Sequence, residues 1–376
     1  MPTTGFDSRS TSHRARRGAA LLAASALGAG VLAAAPTTAQ AATTRVDGAT
    51  FTWGISGYAQ KGTLAPWTIN GATGDAHVLP GATQTEYKVA PTPATSLPAD
   101  VTDVTAVKFT GGEGTVDPAT GATTLTWEGS YTVAAYPAMF GVPSETYTDP
   151  VLTVRKNGSG NVTMRVQTSA GEDRDGGTVP AKDLGRVVLM TFGAGDLSGF
   201  TARGFRVTPD YQGVTAGIDG QTTSCSAAGG ATGWWGSWPA AFVKEMPASL
   251  QAHFYSTGCA GMQDAKPPLP FDVSFGKAVK RGATVAVNKL VKPKPGKKGS
   301  VAVRVSSPFT GEPKGAVKVV LKKGKKSVAT KRGHLAKGRV SVVLPKLKKG
   351  TYVLTAKYLG DAGHLKGSTK KRFNVK

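Results

Sequence analysis

Acidic side chains are nearly missing from the last hundred residues. Between Lys277 and Lys376 there are 28 Lys and Arg but only two acids, Glu312 and Asp361, a net charge of +26. The whole chain carries +23, so residues 1–276 sum to −3. A mildly acidic body is joined to a strongly basic tail, which suggests a body with one task and a tail that holds it on an anionic surface. Cysteine is also scarce. Cys225 and Cys259 are the only two, and neither has another Cys or His at ligand spacing. That argues against a zinc site and for one disulfide in an oxidising compartment. The loop it would close, about 35 residues, is worth roughly 3–4 kcal/mol in the chain-entropy model. After residue 41 no apolar run is long enough to span a bilayer. The tail has four aromatics, Phe309, Tyr352, Tyr358 and Phe373. So small a number leaves little for stacking bases, and no sequence-specific nucleic-acid partner is expected. A nucleophile elbow, a phosphate loop and a zinc motif are all absent, so the chain reads as a non-enzyme. Adjacent acids such as Glu172 and Asp173 fall in a polar loop. A carboxylate cleft is the weaker enzymatic alternative.

What is present begins with an export signal. Arg14, Arg16 and Arg17 precede the small, apolar stretch Gly18–Ala35, and Ala39-Gln40-Ala41 supplies a cleavage site. Residues 1–41 are therefore expected to be a signal peptide and the product to be secreted or cell-wall associated. Arg16-Arg17 alone does not complete a twin-arginine pattern. Without this segment the body, 42–276, carries −6.

The body reads as mostly β. Asn161–Val166 alternates cleanly, Val151–Lys156 is β-prone, and Asn157-Gly158-Ser159-Gly160 between them predicts a hairpin. Further strands are expected at Phe51–Trp53, Ala106–Phe109, Thr123–Trp127, Tyr131–Ala135, Arg186–Phe192 and Phe271–Phe275. One helix is predicted over Pro239–Ala252, with Phe242, Val243, Met246 and Leu250 as its buried stripe and Pro247 kinking or splitting it. The tail, 277–376, shows about seven short strands, as in an immunoglobulin-like sandwich with Val inward and Lys outward. The expected fold class is all-β.

Two resemblances cover nearly all of the chain after residue 41. Gly350–Tyr358, Leu359-Gly360-Asp361 and the Gly311–Gly315 turn before a Val-rich strand resemble bacterial Ig-like repeats, which are structural spacers and adhesive modules. Phe51-Thr52-Trp53-Gly54, Val107–Val116, Trp127–Tyr131 and Asp149–Val154 make the body similar to an HtaA domain, a module of actinobacterial haem-uptake proteins. The resemblance implies haem as cofactor, bound at the outer surface through a Tyr ligand supported by a nearby His. Tyr58 is the nearest candidate to the family's Tyr and is shifted in register. The family's Gly-His after its middle Phe is replaced by Phe109-Thr110-Gly111-Gly112.

On this reading the candidate haem ligands are Tyr58, Tyr131 and Tyr136, with Tyr147 a further phenol in the matching segment. A phenolate oxygen is a hard anion and suits ferric iron. His77, the only His in the N-terminal half of the body, is the expected partner. His253, His334 and His364 sit in no metal pattern, and His253 reads as structural. Trp234, Trp235, Trp238, Phe242 and Tyr255, between the cysteines, form either a stapled small core or a flat face for haem or a sugar ring. Lys322, Lys323, Lys325 and Lys326, together with Lys346, Lys348 and Lys349, are the candidate contacts for anionic cell-wall polymers or lipid headgroups. A non-haem envelope structural or carbohydrate-binding protein is the alternative function.

Overall fold

The structure, a computed structural model, describes residues 43–81, 104–225, 235–259, 261–307 and 312–376. The signal-peptide reading at 1–41, the Gly-rich run before Trp235, Trp234 and Phe309 lie outside these residues. The protein is all-β, and its strands pair antiparallel throughout.

Strand β1 (Thr44–Trp53) runs through the middle of the body, between β4 (Ala106–Val116) and β14 (Phe271–Ser274). From β4 the sheet continues through β5 (Thr123–Thr126), β7 (Glu145–Val154) and β8 (Gly160–Thr168) to β11 (Lys182–Phe192). From β14 it continues through β13 (Gly204–Val207) to β12 (Leu197–Thr201). A side branch is formed by β2 (Thr68–Gly74) on β6 (Gly129–Ala134), which also pairs with β7. Strand β3 (Ala76–Leu79) pairs with β4, and β9 (Gly171–Glu172) with β10 (Thr178–Val179) make a small separate hairpin. Alternation decides which face is buried: Leu152 and Val154 on β7 and Val162, Met164 and Val166 on β8 all point into the core. The β7–β8 hairpin closes as expected over Arg155–Ser159, with Gly158 at φ 87° and Asn157 Oδ1 accepting from the Ser159 amide.

Aromatic rings fill the centre. Phe51 packs 5.5 Å from Trp127 and 5.2 Å from Phe271. Trp127 reaches this position by crossing over Gly112, and its indole N–H donates to the Ala49 carbonyl at 3.0 Å. A Cβ at Gly112 would lie 2.1 Å from Trp127 Nε1. Gly112→Ala is therefore expected to displace the indole and cost about 1–3 kcal/mol in a urea melt, although Ala suits a strand better than Gly.

The predicted helix is two. Helix α2 (Ala240–Glu245) ends at Met246, whose ψ of 148° is extended, and α3 (Ala248–Gln251) restarts after Pro247. A residue before proline is pushed out of the helical region, so the break falls there. The stripe Phe242, Val243, Met246 and Leu250 is buried as its spacing predicted. The disulfide Cys225–Cys259 is formed, with Cα atoms 5.6 Å apart.

The tail is a sandwich of two sheets. One orders β15 (Thr284–Val291), β16 (Gly299–Ser306) and β19 (Arg339–Leu344). The other orders β18 (Lys326–His334), β17 (Ala316–Lys323), β20 (Gly350–Tyr358) and β21 (Gly367–Val375). Val301, Val303, Val305, Val340 and Val342 from the first sheet meet Val317, Val319, Leu321, Leu354 and Phe373 from the second in one cluster. This cluster is separate from the body's, which ends at Val279. Lysines stand at some outward positions, such as Lys318, Lys357 and Lys370, and on the β18 edge at Lys326 and Lys331, where charge discourages pairing with another chain. No described helix is long and apolar enough to cross a membrane.

Candidate functional site

Three segments meet at one end of the body. In the first, β1 ends at Trp53 and Ile55 takes φ 67°, a rare backbone for a β-branched residue. That turn leads into Ser56, whose hydroxyl accepts from the Ala59 amide at 3.1 Å and caps the short helix α1 (Gly57–Lys61). Gln60 locks α1 in place: its amide nitrogen donates to the Gly54 and Thr105 carbonyls at 2.7 and 2.9 Å, and its oxygen accepts from the Thr105 amide at 3.0 Å. Tyr58 thus faces inward. The second segment follows from the β2–β6 register. Thr68 pairs with Ala134, so Trp67 and Tyr136 leave the sheet from adjacent strands at the same end. In the third, the turn after α3 carries His253, whose amide donates to the Leu250 carbonyl.

The His253 ring is the hub. Its centroid lies 4.9 Å from Trp67, 5.5 Å from Tyr136 and 5.7 Å from Tyr58. Its Nε2 is 3.1 Å from the Tyr136 hydroxyl, and its Nδ1 is buried without a partner. A buried N–H without an acceptor is rarer than a buried lone pair without a donor. The favoured tautomer therefore places the proton on Nε2, where it donates to the Tyr136 oxygen. Burial, and then the nearby Lys266 ammonium, push the His253 pKa down to about 3, so the ring is neutral near pH 7. Lys266 is itself pushed down to about 8 by burial and donates to the Tyr255 carbonyl and Thr257 hydroxyl at 2.9 and 3.2 Å. Burial and the neighbouring Tyr58 raise the Tyr136 phenol, while Arg174 pulls it back. The Tyr58 hydroxyl is already engaged with Thr63 at 2.7 Å.

The rim around this cluster is apolar and open. Met139 is 85% exposed, Phe140 47% and Leu64 62%. Phe140 stands edge-on to Tyr136 at 6.5 Å. Exposed large side chains beside Tyr136, the one half-buried ring of a cluster whose Tyr58, Trp67 and His253 are buried, mark a place where a flat apolar molecule could rest.

Of the residues singled out from the sequence, Tyr58 and Tyr136 belong to this cluster. Tyr131 does not: it is fully buried, stacked 5.3 Å from Tyr147. His77 is exposed on β3, just past the link from β2 and opposite Lys108 on β4, near the end of β2 away from Trp67. The histidine brought to the tyrosines is His253, 117 residues from Tyr136 in sequence. The only local sign of it was its place beside Phe254-Tyr255 after an apolar helix. Trp238, Phe242 and Tyr255 are buried, and the Trp238 indole donates to the Lys266 carbonyl, so these three form core rather than an open face, while Trp235 is half-buried.

In the tail, Lys322, Lys323 and Lys326 flank the two-residue β17–β18 turn, and Lys325 lies within it. Lys346, Lys348 and Lys349 fill the connection from β19 to β20. Lys323 Nζ donates to the Lys349 carbonyl at 3.0 Å, which ties the two groups together.

No family model matches the chain, and no curated protein matches it. Among solved structures, the glycoside hydrolase domain of Endo-D from Streptococcus pneumoniae R6 aligns at a TM-score of 0.18 and 10% identity, over 82% of this chain and 37% of that one. So weak a likeness speaks to neither fold nor activity.

Proposed function

We propose that the protein is a secreted or cell-surface binding protein of the HtaA type, whose body takes haem at the Tyr136–His253 pair and whose basic tail holds it to the envelope. The observation that carries this reading is the 3.1 Å contact between the Tyr136 hydroxyl and His253 Nε2 under an exposed apolar rim. The donor set fits ferric haem. A phenol that can become a hard anionic ligand is paired with a neutral imidazole able to donate to it. Met139, Phe140 and Leu64 offer apolar cover for a porphyrin face. The exposed Arg174, whose charge already acts on Tyr136, offers a cation for carboxylate groups at the edge. Bound haem would supply a redox-active iron for capture and transfer. The tail's excess of cations supports attachment to anionic cell-wall polymers or lipid headgroups.

The alternative, a non-haem envelope structural or carbohydrate-binding module, draws on a different observation: Tyr58 is only 8% exposed and its hydroxyl is satisfied within the fold. Titration of the exported chain with hemin separates the two. The haem reading expects a saturable Soret shift of a tyrosinate-ligated ferric species at one equivalent. An unshifted band removes haem and leaves the alternative.

A further inference from the structure

The tail's topology gathers its lysines at one pole. Strands β15, β17, β19 and β21 end where β16, β18 and β20 begin, as the pairs Val291 with Ser300, Leu344 with Gly299, Lys323 with Lys326 and Val375 with Gly350 show. Every connection at that pole is basic. The β15–β16 loop supplies four lysines from Lys292 to Lys298, the β17–β18 turn four from Lys322 to Lys326, and the β19–β20 loop three from Lys346 to Lys349; Lys376 follows β21. No acid lies among them. Both acids of the tail, Glu312 and Asp361, are at the opposite pole, where the chain arrives from the body. Asp361 is occupied there by the Lys314 amide and by His364.

The lysine pole is also concave. Between the β15–β16 loop and β21 runs an open cleft of about 700 Å³, lined by Lys292, Lys294, Arg372 and Lys376, with Pro293, Pro295 and Phe373 among its walls. The two prolines stiffen one wall, so the cations are held apart rather than free to collapse onto one charge. The Tyr352 and Phe373 rings, stacked at 5.8 Å, are nearly buried at 3% and 5% exposure. Among the described residues the pole therefore shows no exposed aromatic to insert into a bilayer or to stack on a base.

We infer that this pole is a docking surface for a flexible linear polyanion with regularly spaced phosphates and no bases, which lies along the cleft and over the adjoining lysine loops. The inference rests on the tail acting as an electrostatic anchor, and it names the part of the tail that does so. A cleft walled by cations suits a threaded chain. A lipid surface would be met by large protruding apolar side chains, whereas the exposed apolar residues at this pole are the smaller Val291 and Val343.

The test uses the full chain, with long-chain inorganic polyphosphate as probe and phosphatidylglycerol-containing vesicles in parallel, each across a salt series. Three variants are compared. A cleft variant carries Lys292→Gln, Lys294→Gln, Arg372→Gln and Lys376→Gln. A second pole variant carries Lys325→Gln, Lys326→Gln, Lys348→Gln and Lys349→Gln. A control carries Lys331→Gln, Arg332→Gln, Lys357→Gln and Lys370→Gln, which removes equal charge from the half of the sandwich away from the pole. Unchanged melting curves confirm folding, and the two pole variants back each other up. The expected result is that each pole variant lowers the slope of log affinity against log salt by about 3, as loss of four phosphate contacts to a single strand requires, while the control moves it by less than about 1. An equal loss in control and pole variants would overturn the pole assignment and leave a diffuse electrostatic anchor. Tighter binding to vesicles than to polyphosphate would replace the polymer with a lipid surface. Binding to neither by the unmodified chain in dilute buffer would remove the anchor itself.

Discussion

Tyr136→Phe is expected to abolish the tyrosinate Soret signature and to weaken hemin binding by more than about 100-fold. The substitution deletes a single oxygen. It leaves the ring against Phe140 and His253 but takes the acceptor from the buried His253 Nε2–H, so folding stability should fall by about 1–3 kcal/mol. His253→Gln keeps a donor near the Tyr136 oxygen but loses the fixed imidazole geometry. It should weaken binding by about 10–100-fold, the usual range for a residue that orients a metal ligand. Tyr58→Phe, which removes a hydroxyl shared between Thr63 and Tyr136, should change affinity by less than about tenfold, and His77→Ala should change nothing. This ranking is specific to the cluster geometry. A Tyr136→Phe protein that keeps both affinity and spectrum would eliminate Tyr136 as the ligand, and a large loss in His77→Ala would restore the pairing expected from sequence.

Opposite pH dependences are expected from two buried groups in the body. Glu145 is buried on β7, accepts from the Tyr147 hydroxyl and faces Thr168 on β8, whose buried hydroxyl lacks a partner. Burial raises its pKa from 4.5 to about 7. A carboxyl raised in the folded state contributes stability below its unfolded value and loses it as pH rises from 4.5 through 7, about 3 kcal/mol in all. His253 works the other way. Its folded pKa lies near 3 against 6.5, so its contribution is complete above pH 6.5 and is lost as pH falls, by about 2–3 kcal/mol at pH 4.5. In the unmodified chain the two slopes largely cancel between pH 4.5 and 6.5. Glu145→Gln should unmask the histidine, with stability rising with pH across that range and a gain over the unmodified chain that grows from near zero at pH 4.5 to about 3 kcal/mol at pH 7. His253→Gln should unmask the carboxyl, with stability falling as pH rises. Lys266 titrates above this range and Asp361 below it, so neither disturbs the comparison. Urea melts from pH 4.5 to 7.5 read the effect directly, and parallel curves for all three proteins would refute it.

Much of the fold was legible along the chain because it is written in local patterns. Among the tail strands between Thr284 and Val375, alternation is clearest in β16, β17, β19 and β20, which each bury one face against the opposite sheet, whereas the β18 edge has no buried residue. The hairpin at Asn157–Gly160 and the helix break at Pro247 follow from backbone preferences that need no tertiary contact. Strands β12 and β13 and helix α1 were not legible. The two strands have four or five residues each, and α1 has five, too few to show a period. Helix α1 exists because Ser56 caps it and Gln60 bridges it to Gly54 and Thr105, contacts that only the folded chain supplies.

The charge split, the cysteine pair and the all-β class were determined by the sequence alone, because composition and period survive without coordinates, whereas tyrosine as a candidate ligand type came only from the resemblance to HtaA domains. Which tyrosine meets which histidine, and at which pole the lysines gather, was decided by tertiary structure. Tyr136 and His253 are joined by strand register and a turn after α3 rather than by spacing. The lysine loops, up to 84 residues apart in sequence between Lys292 and Lys376, become neighbours because antiparallel strands return their ends to the same place.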